Sequence, residues 1–328
     1  MMRSLYSGIS GLKNHQTRMD VIGNNISNVN TVGYKTSRTI FQDIFSQTVK
    51  SGTANLDFIG GTNPTQIGLG IKLATVDVLH TPAPFQRTDN PFDMMIEGDG
   101  FFIVMNENGD YYYTRAGNFY LDDQGYLVSS HGYYVMGYTF EPEWVAEPEQ
   151  GTPGMDDYVP EGPGYLAMGG VPSATLQRIR LKIEGDFPED GGVMIDPGAG
   201  GGGGGTDIFV SQDLVGFSVG QDGSVSVILN NIKETIAFLG VAMFANPGGL
   251  EKAGNSLYRE SPSSGEVVLT QALMDGSGRV NGGGLEMSNV DLATEFTDMI
   301  VTQRGFQANS RVITVSDTLL EELVNLKR

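Results

Sequence analysis

The chain has 328 residues, a formal net charge of -19 at pH 7 and no cysteine. Such an acidic chain is a poor partner for nucleic acid, because phosphate recognition needs Lys and Arg to displace counterions. Disulfides and thiol nucleophiles are excluded, and the histidines, His15, His80 and His131, are too scattered to predict a zinc site. No apolar run predicts a membrane span and no cleavable secretory signal is recognisable. We therefore expect no membrane insertion, and a cytoplasmic location if Sec-type export is the one route out.

The first predicted element is a long amphipathic helix at the N-terminus. Apolar residues at heptad spacing form one seam, which Gln16 and Gly23 interrupt: Met2, Leu5, Ile9, Leu12, Met19 and Ile26. Several asparagines lie near the end of this helix, where their side-chain amides compete for the hydrogen bonds of the helical backbone. We expect Asn24, Asn25 and Asn28 to bond a neighbouring chain and fix its register, whereas Asn30 and Thr31 cap the helix end.

The middle of the chain predicts antiparallel β structure. The segment "NENGDYYYTRAGNFYLDDQGYLVSSHGYYVMGY", residues 106–138, alternates aromatic and β-branched residues with turn signals at hairpin spacing. A related pattern returns later: "FYLDDQGYLV" from Phe119 and "FSVGQDGSVSV" from Phe217 place Phe, Gly and branched apolar residues at the same offsets. Both segments are predicted to be hairpins of one β domain.

Two stretches between these hairpins have a different composition. Residues 141–165 contain seven acidic residues, no basic residue and several prolines, and residues 198–205 read "GAGGGGGG". Neither stretch contains enough apolar residues to fix one conformation, so we expect residues 141–205 to be a small mobile insert.

The last predicted element is a second long helix. Its apolar seam, which Gln303, Ser310 and Asp317 break, contains Leu292, Phe296, Met299, Phe306, Ile313, Leu320 and Val324. The segment "SNVD", Ser288 to Asp291, resembles a capping-box start. Residues 1–36 have a net charge of +3 and residues 286–328 a net charge of -3, which predicts that the two ends attract each other.

Two interpretations of the helical seams remain open. The simpler one is a helical hairpin within one chain, and the other is packing of both helices against further subunits. The polar breaks favour the second, because a two-helix hairpin with so few apolar layers is marginally stable in water. Polar seam positions also commonly set register in oligomers.

No catalytic, cofactor or metal site is predicted. The glycine run is not followed by Gly-Lys-Ser/Thr, so a linker is favoured over a phosphate loop. The acidic cluster of Glu141, Glu143, Glu147 and Glu149 lies in a Pro-rich stretch, where a solvated loop is favoured over the carboxylate pair of a glycosidase. No Gly-x-Ser-x-Gly motif marks a nucleophile for a histidine-containing triad.

At both ends the sequence resembles one protein family. "GNNISNVNTVGYK", from Gly23 to Lys35, resembles the N-terminal signature of bacterial flagellar rod and hook proteins, and "SNVDLATEFTDMIVTQRGFQANSRVI", from Ser288 to Ile313, resembles their C-terminal signature. The segments "IGLGIKLATVDVLHT" and "DMMIEGDGFFIVMNENGDYYYTRAGNFYLDDQGYLVSSHGYYVMGY" extend the similarity through the β body. Residues 141–205 do not share it. "FANPGGLEKAGNSLYRE", Phe244 to Glu260, looks most like the hook subunits, with the shorter distal rod subunits as the alternative.

The resemblance implies a tubular polymer of identical subunits, with the terminal helices lining a channel and the β domain outside. It also implies export of the unfolded chain through the flagellar type III apparatus, and disordered termini in the monomer. The implied partners are the hook cap and export apparatus during assembly, and adjoining rod and hook–filament junction proteins afterwards. A hook would be a flexible joint that transmits torque to the filament, outside the cell, and a rod would be a stiff drive shaft.

The expected fold class is α+β, with two terminal helices in a coiled-coil-like inner domain and a mainly antiparallel β domain. The expected divisions are residues 1–36 and 286–328 for assembly, 37–70 as a connector, and 71–140 with 206–285 for the β domain. An enzyme would need a concave site with converging titratable groups, which the sequence does not display. A secreted adhesin would explain the acidic β domain but would leave the paired terminal helices without a purpose. The expected subunit contacts are Leu5, Ile9, Leu12, Met19, Asn24, Asn25, Ile26, Asn28, Leu292, Phe296, Met299, Phe306, Ile313 and Leu320.

Overall fold

The structure is a computed structural model that describes residues 2–54, 60–139, 176–179, 216–229 and 232–326. The chain divides into two compact units. The helical unit contains Met1–Thr31, Lys35–Thr81 and Ser288–Arg328, and the β unit contains Val32–Tyr34 and Pro82–Met287. Each unit is thus assembled from stretches that are far apart in sequence.

The described part of the helical unit contains two long helices and four strands. In chain order they are α1 (Met2–Ser27), β1 (Ser37–Asp43), β2 (Ser46–Lys50), β3 (Thr65–Gly68), β4 (Ile71–Val78) and α2 (Leu292–Asn325). Helices α1 and α2 pack side by side, β1 pairs with β4 and β2 pairs with β3, both pairs being antiparallel. In the part of the chain that the structure describes, we find no helical segment with the length and hydropathy that a membrane span requires.

Helix α2 begins at a side-chain cap. The carboxylate of Asp291 accepts a hydrogen bond from the backbone N–H of Ala293 at 3.0 Å, and the hydroxyl of Thr294 donates to its other oxygen at 2.8 Å. These bonds satisfy a backbone donor that has no partner inside the helix. The segment "SNVD" therefore does start a helix, but the capping residue is Asp291 at its end and Ser288 lies before it.

In its described residues the β unit contains antiparallel strands, most of them short. They are β5 (Phe85–Arg87), β6 (Met94–Glu97), β7 (Phe101–Met105), β8 (Tyr111–Thr114), β9 (Phe119–Leu121), β10 (Leu127–Ser129), β11 (Tyr134–Thr139), β12 (Gln177–Arg178), β13 (Gly216–Val219), β14 (Ser224–Leu229), β15 (Ile232–Met243), β16 (Glu251–Gly254), β17 (Leu257–Arg259), β18 (Val268–Gln271), β19 (Arg279–Gly282) and β20 (Gly284–Glu286).

Twelve of these strands form one sheet, whose main path runs β13-β14-β15-β11-β7-β8-β17-β16. Strands β9, β10, β12 and β18 pair beside that path, while β6 pairs with β19 and β5 pairs with β20. One core cluster contains Phe102, Phe119, Leu127 and Val241, and a second contains Phe101, Tyr113 and Phe244. Alternate side chains of a strand point to opposite faces, so Phe101 and Phe102 enter different clusters.

The two hairpins predicted from related sequences are confirmed. Strands β9 and β10 are joined by a turn with Gly125 at φ +82°, and β13 and β14 by a turn with Gly223 at φ +76°. The two turns occur at the same offset from Phe119 and Phe217, as their sequences indicated. Glycine suits both positions because a positive φ strains a residue that has a Cβ.

The α+β class is confirmed, with a mainly antiparallel β unit and a helix near each terminus. The division of the chain differs from the expected one at its boundaries. The expected connector, residues 37–70, and residues 71–81 both lie in the helical unit, whereas residues 32–34 and 286–287 lie in the β unit and not with the terminal helices. The side-chain amide of Asn14 in α1 donates to the carbonyl of Ile71 at 2.7 Å, which connects β4 to the helix. Most of the expected insert, residues 141–205, lies outside the described residues.

Candidate assembly surface

Helices α1 and α2 run antiparallel and meet through small and polar residues. Gly8 of α1 lies against Ile313, and Gly11 lies against the amide of Asn309. Further along, Gly305 of α2 lies against the imidazole of His15. Without a Cβ, each glycine lets the opposing side chain approach the helix backbone closely. The close fit of glycines against larger side chains thus contributes to the helix contact, in addition to the apolar seams that the sequence indicated.

Beyond His15 the contact between the helices includes an ion pair. Arg18 and Asp298 form an ion pair at 2.9 Å, with both side chains partly exposed. This pair agrees with the opposite charges of the two chain ends. A partly exposed ion pair stabilises a protein by only about 0–1 kcal/mol. The pair of Arg18 and Asp298 therefore favours this arrangement of the two helices but adds little to its stability.

Asn25 is buried and its amide is occupied within its own chain. Its Nδ2 donates to the carbonyl of Ser37 at 2.9 Å and to the carboxylate of Glu295 at 3.1 Å, and its Oδ1 accepts from the N–H of Ser37 at 3.1 Å. The side chain thereby pairs both backbone groups of Ser37, as a neighbouring strand would. It also connects α1, β1 and α2 within the helical unit.

The other asparagines of this segment form local bonds. Asn28 Nδ2 donates to the carbonyl of Asn24 at 2.9 Å, and the hydroxyl of Thr31 donates to Asn28 Oδ1 at 3.1 Å. Asn24 and Asn28 are more exposed than Asn25. The order of this segment therefore has a source inside the chain, and register contacts to other subunits stay a prediction.

Burial perturbs two ionisable groups in the helical unit. Desolvation raises the pKa of Glu295, although hydrogen bonds from Asn25 and Thr36 oppose the shift. Desolvation lowers the pKa of His15, and the positive charge of Arg18 lowers it further. The folded helix pair therefore favours the neutral form of His15 over the protonated form.

The expected contact residues differ in how accessible they are. Four are exposed: Ile9, Asn24, Leu292 and Phe296. Nine are partly buried by the chain itself: Leu5, Leu12, Met19, Ile26, Asn28, Met299, Phe306, Ile313 and Leu320. Asn25 is buried. The seams thus contribute both to packing within the chain and to its apolar surface, and their role between subunits stays a prediction.

Further exposed apolar residues on α2 were missed by the heptad pattern. They are Ile300, Val301, Val312, Val315, Leu319 and Leu323, each with more than 40% of its surface exposed. At 100° per residue, Val301, Val312, Val315, Leu319 and Leu323 lie on one side of the face that contacts α1, and Ile300 lies opposite that face. Scoring apolar residues around the whole helix, instead of along one seam, would have identified them.

Three family models match the chain. The model "Flagella basal body rod protein" matches residues 5–35, "Flagellar hook protein FlgE/F/G D1 domain" matches residues 95–227, and "Flagellar basal body rod FlgEFG protein C-terminal" matches residues 281–326. The two terminal matches fall on the helices of the helical unit, and the central match falls on the β unit.

Curated relatives match over their whole length. The chain is 42% identical over 330 residues to the flagellar basal-body rod protein FlgG of Bacillus subtilis, covering 100% of both chains. It is 32% identical over 448 aligned positions to the flagellar hook protein FlgE of Borreliella burgdorferi, again covering 100% of both. The FlgG of the same Borreliella is 30% identical over 331 residues. The chain therefore belongs to the FlgE/F/G family of flagellar hook and basal-body rod proteins.

Proposed function

We propose that this chain is the distal rod subunit of a bacterial flagellum, a structural protein that polymerises into a stiff tubular drive shaft. The observation that carries the proposal is the end-to-end match to a rod protein at 42% identity over 330 residues. This chain has 328 residues, so the alignment needs almost no insertion. The hook relative needs 448 aligned positions. Length and identity together favour the rod over the hook that the sequence motifs suggested.

The surface of α2 supports polymerisation. A helix with apolar residues on most of its circumference is normally buried on most of its circumference. Helix α1 covers one side, while Phe296, Ile300, Val315 and Leu323 each remain more than 40% exposed. Large apolar side chains that are exposed repeatedly along one helix indicate an interaction site. Identical neighbouring subunits, packed head to tail, would cover it and would generate a helical tube.

The hook is the second candidate, because the FlgE relative of Borreliella burgdorferi also aligns over the entire chain. In that case the same tube would bend as its subunits alternate between compressed and extended sides. In either case the partners would be identical subunits and adjoining rod and junction proteins. The chain would reach its place through the flagellar export channel, assisted by a cap.

The two candidates can be separated by complementation. The gene should be expressed in one strain that lacks its distal rod protein and in another that lacks its hook protein, with basal bodies imaged by electron microscopy. A rod subunit restores the rod and leaves the hook-deficient strain without hooks. The reverse result would establish the hook, and failure in both strains of a well-expressed chain would argue against both.

Stiffness provides an independent test. Tubes polymerised from the purified chain should be straight if the chain forms a drive shaft. Tubes that curve and change curvature under load would indicate a flexible joint instead.

A further inference from the structure

One carboxylate in the β unit connects three separate parts of the chain. Glu286 Oε1 accepts the backbone N–H of Ala83 at 3.2 Å, and its Oε2 lies 3.5 Å from Nη1 of Arg115. The backbone carbonyl of Glu286 accepts the N–H of Gly33 at 2.9 Å. The side chain of Glu286 is 0% exposed and that of Arg115 is 2% exposed, so water does not weaken these contacts.

Arg115 attaches this group to the sheet. Its Nη1 donates to the carbonyl of Ile96 at 3.2 Å and its Nη2 to the carbonyl of Gly98 at 2.8 Å. Its guanidinium carbon lies 5.2 Å from the centre of the Phe101 ring. A planar guanidinium that bonds a carboxylate, two carbonyls and an aromatic face has little freedom to move.

Gly33 is held equally closely. Its φ is +66°, and a Cβ at this position would lie 2.6 Å from the backbone nitrogen of Ala116 and 2.7 Å from the carbonyl carbon of Arg115. Any larger residue would therefore be forced away from Arg115. We call Gly33, Ala83, Arg115 and Glu286 the clamp; it lies wholly inside the β unit.

The clamp lies at every point where the chain enters or leaves the β unit. That unit contains Val32–Tyr34 and Pro82–Met287, so each of its four ends is one residue from Gly33, Ala83 or Glu286. A force transmitted along the covalent chain reaches the β unit at these ends. A bond there carries the load first, whereas a bond deep in the sheet carries it later.

We propose that Glu286 is a positioning residue that clamps these chain ends together, so that the β unit resists force applied through residues 31 and 288. The biological need for such resistance rests on the proposed function, since a drive shaft transmits torque through its subunits. The clamp itself is a property of one molecule and can be tested without any polymer.

The test is single-molecule force spectroscopy on the full chain. Because the chain has no cysteine, Val32→Cys and Met287→Cys provide unique handles at the outer ends of the β unit. In this background Glu286→Gln should lose the high-force first rupture, because the amide keeps an acceptor for Ala83 but cannot neutralise Arg115. An unchanged first rupture would overturn the proposal.

Two control variants separate the clamp from ordinary stability. Glu97→Gln removes a carboxylate whose pair with Arg279 is 46% exposed on both sides, and it should leave the first rupture unchanged. Val241→Ala makes a cavity in the core and should lower the melting temperature but not the first rupture force. If Val241→Ala lowers that force as much as Glu286→Gln at a similar melting temperature, the clamp assignment is wrong.

A double variant keeps the test decisive if Glu286→Gln fails to fold. Replacing both members of a buried ion pair by apolar residues is often neutral for stability. Arg115→Met with Glu286→Leu should therefore fold, but it lacks the acceptor for Ala83 and the bonds to Ile96 and Gly98. Its first rupture should remain weak, and a rupture at the original force would contradict the proposal. Because no tube is needed, these outcomes are independent of whether the chain forms a rod.

Discussion

The imidazole ring of His15 occupies the space that a side chain on Gly305 would need. A Cβ on Gly305 would lie 2.7 Å from Cε1 and 2.8 Å from Nε2 of that ring. On the same helix pair, a Cβ on Gly11 would lie 2.5 Å from the amide nitrogen of Asn309. Each helix thus places a polar ring or amide on a glycine of the other. Such paired contacts fix the register of α1 against α2, because a shift by one residue would place a Cβ where the glycine was.

Gly305→Ala should weaken the helix pair, although alanine is the better helix former. The gain in helix propensity is about 1 kcal/mol, whereas inserting a methyl group into a packed contact costs about 1–3 kcal/mol. Gly23→Ala is the matched control, since a Cβ on Gly23 has no atom within 4 Å. The melting temperature of the helical circular dichroism signal should rise for Gly23→Ala and stay level or fall for Gly305→Ala. Equal increases in melting temperature would show that the His15 ring can move away from the added methyl group without loss of stability.

The helix pair should weaken in mild acid because of His15. Burial and Arg18 lower its folded pKa below the ordinary value of 6.5. The unfolded chain therefore binds the proton more readily, so the stability that His15 contributes is complete above pH 6.5 and declines as the pH falls towards the folded pKa. The charged groups near the ring include Arg18 and its partner Asp298.

This pH dependence is measured as the melting temperature of the helical signal, about one pH unit above and one below pH 6.5. His15→Gln removes the titrating group and should flatten the curve over that interval. An unchanged slope in His15→Gln would assign the pH dependence to other groups. Glu295 is not one of them, because its raised pKa favours the folded state as the pH falls.

Asn25→Ala should destabilise the helical unit by about 1–3 kcal/mol, because it leaves buried partners without hydrogen bonds. Both backbone groups of Ser37 and the carboxylate of Glu295 lose a partner. Asn24→Ala, at an exposed position one residue earlier, should change stability by less than about 0.5 kcal/mol. Thermal melts of the two variants provide the measurement. A similar loss of stability in both would show that the hydrogen bonds of Asn25 have no special role.

Ile9→Asp with Phe296→Asp should block polymerisation and leave the monomer folded. Both side chains are exposed, at 41% and 49%, so a carboxylate there remains solvated in the monomer but would be buried in a subunit contact. Sedimentation detects tubes, and β-sheet circular dichroism reports the fold. Gln307→Asp, at an exposed polar position of α2, is the control for an added carboxylate on this helix. Normal tubes from the double variant would place the assembly contacts elsewhere.

Much of the fold follows from local patterns. Strand periodicity and glycine turns identified the hairpins at Phe119 and Phe217, and apolar spacing identified both helices. The pattern could not locate the polar contacts that hold these elements. Arg115 and Glu286 are 171 positions apart, and nothing near either residue indicates that the other neutralises it in the core. The same holds for Asn25 and Ser37, which are separated by a turn that brings strand β1 back to the helix.

The sequence by itself determined that the chain has two long terminal helices of opposite charge and an antiparallel β body, because periodicity and net charge are local properties. Its terminal signatures also placed it in the rod and hook family. The tertiary structure alone decided which residues face each other: glycines against His15 and Asn309, Asn25 against Ser37, and Glu286 against Arg115. Those pairings join segments that are far apart in sequence, so their geometry is defined only when the chain has folded.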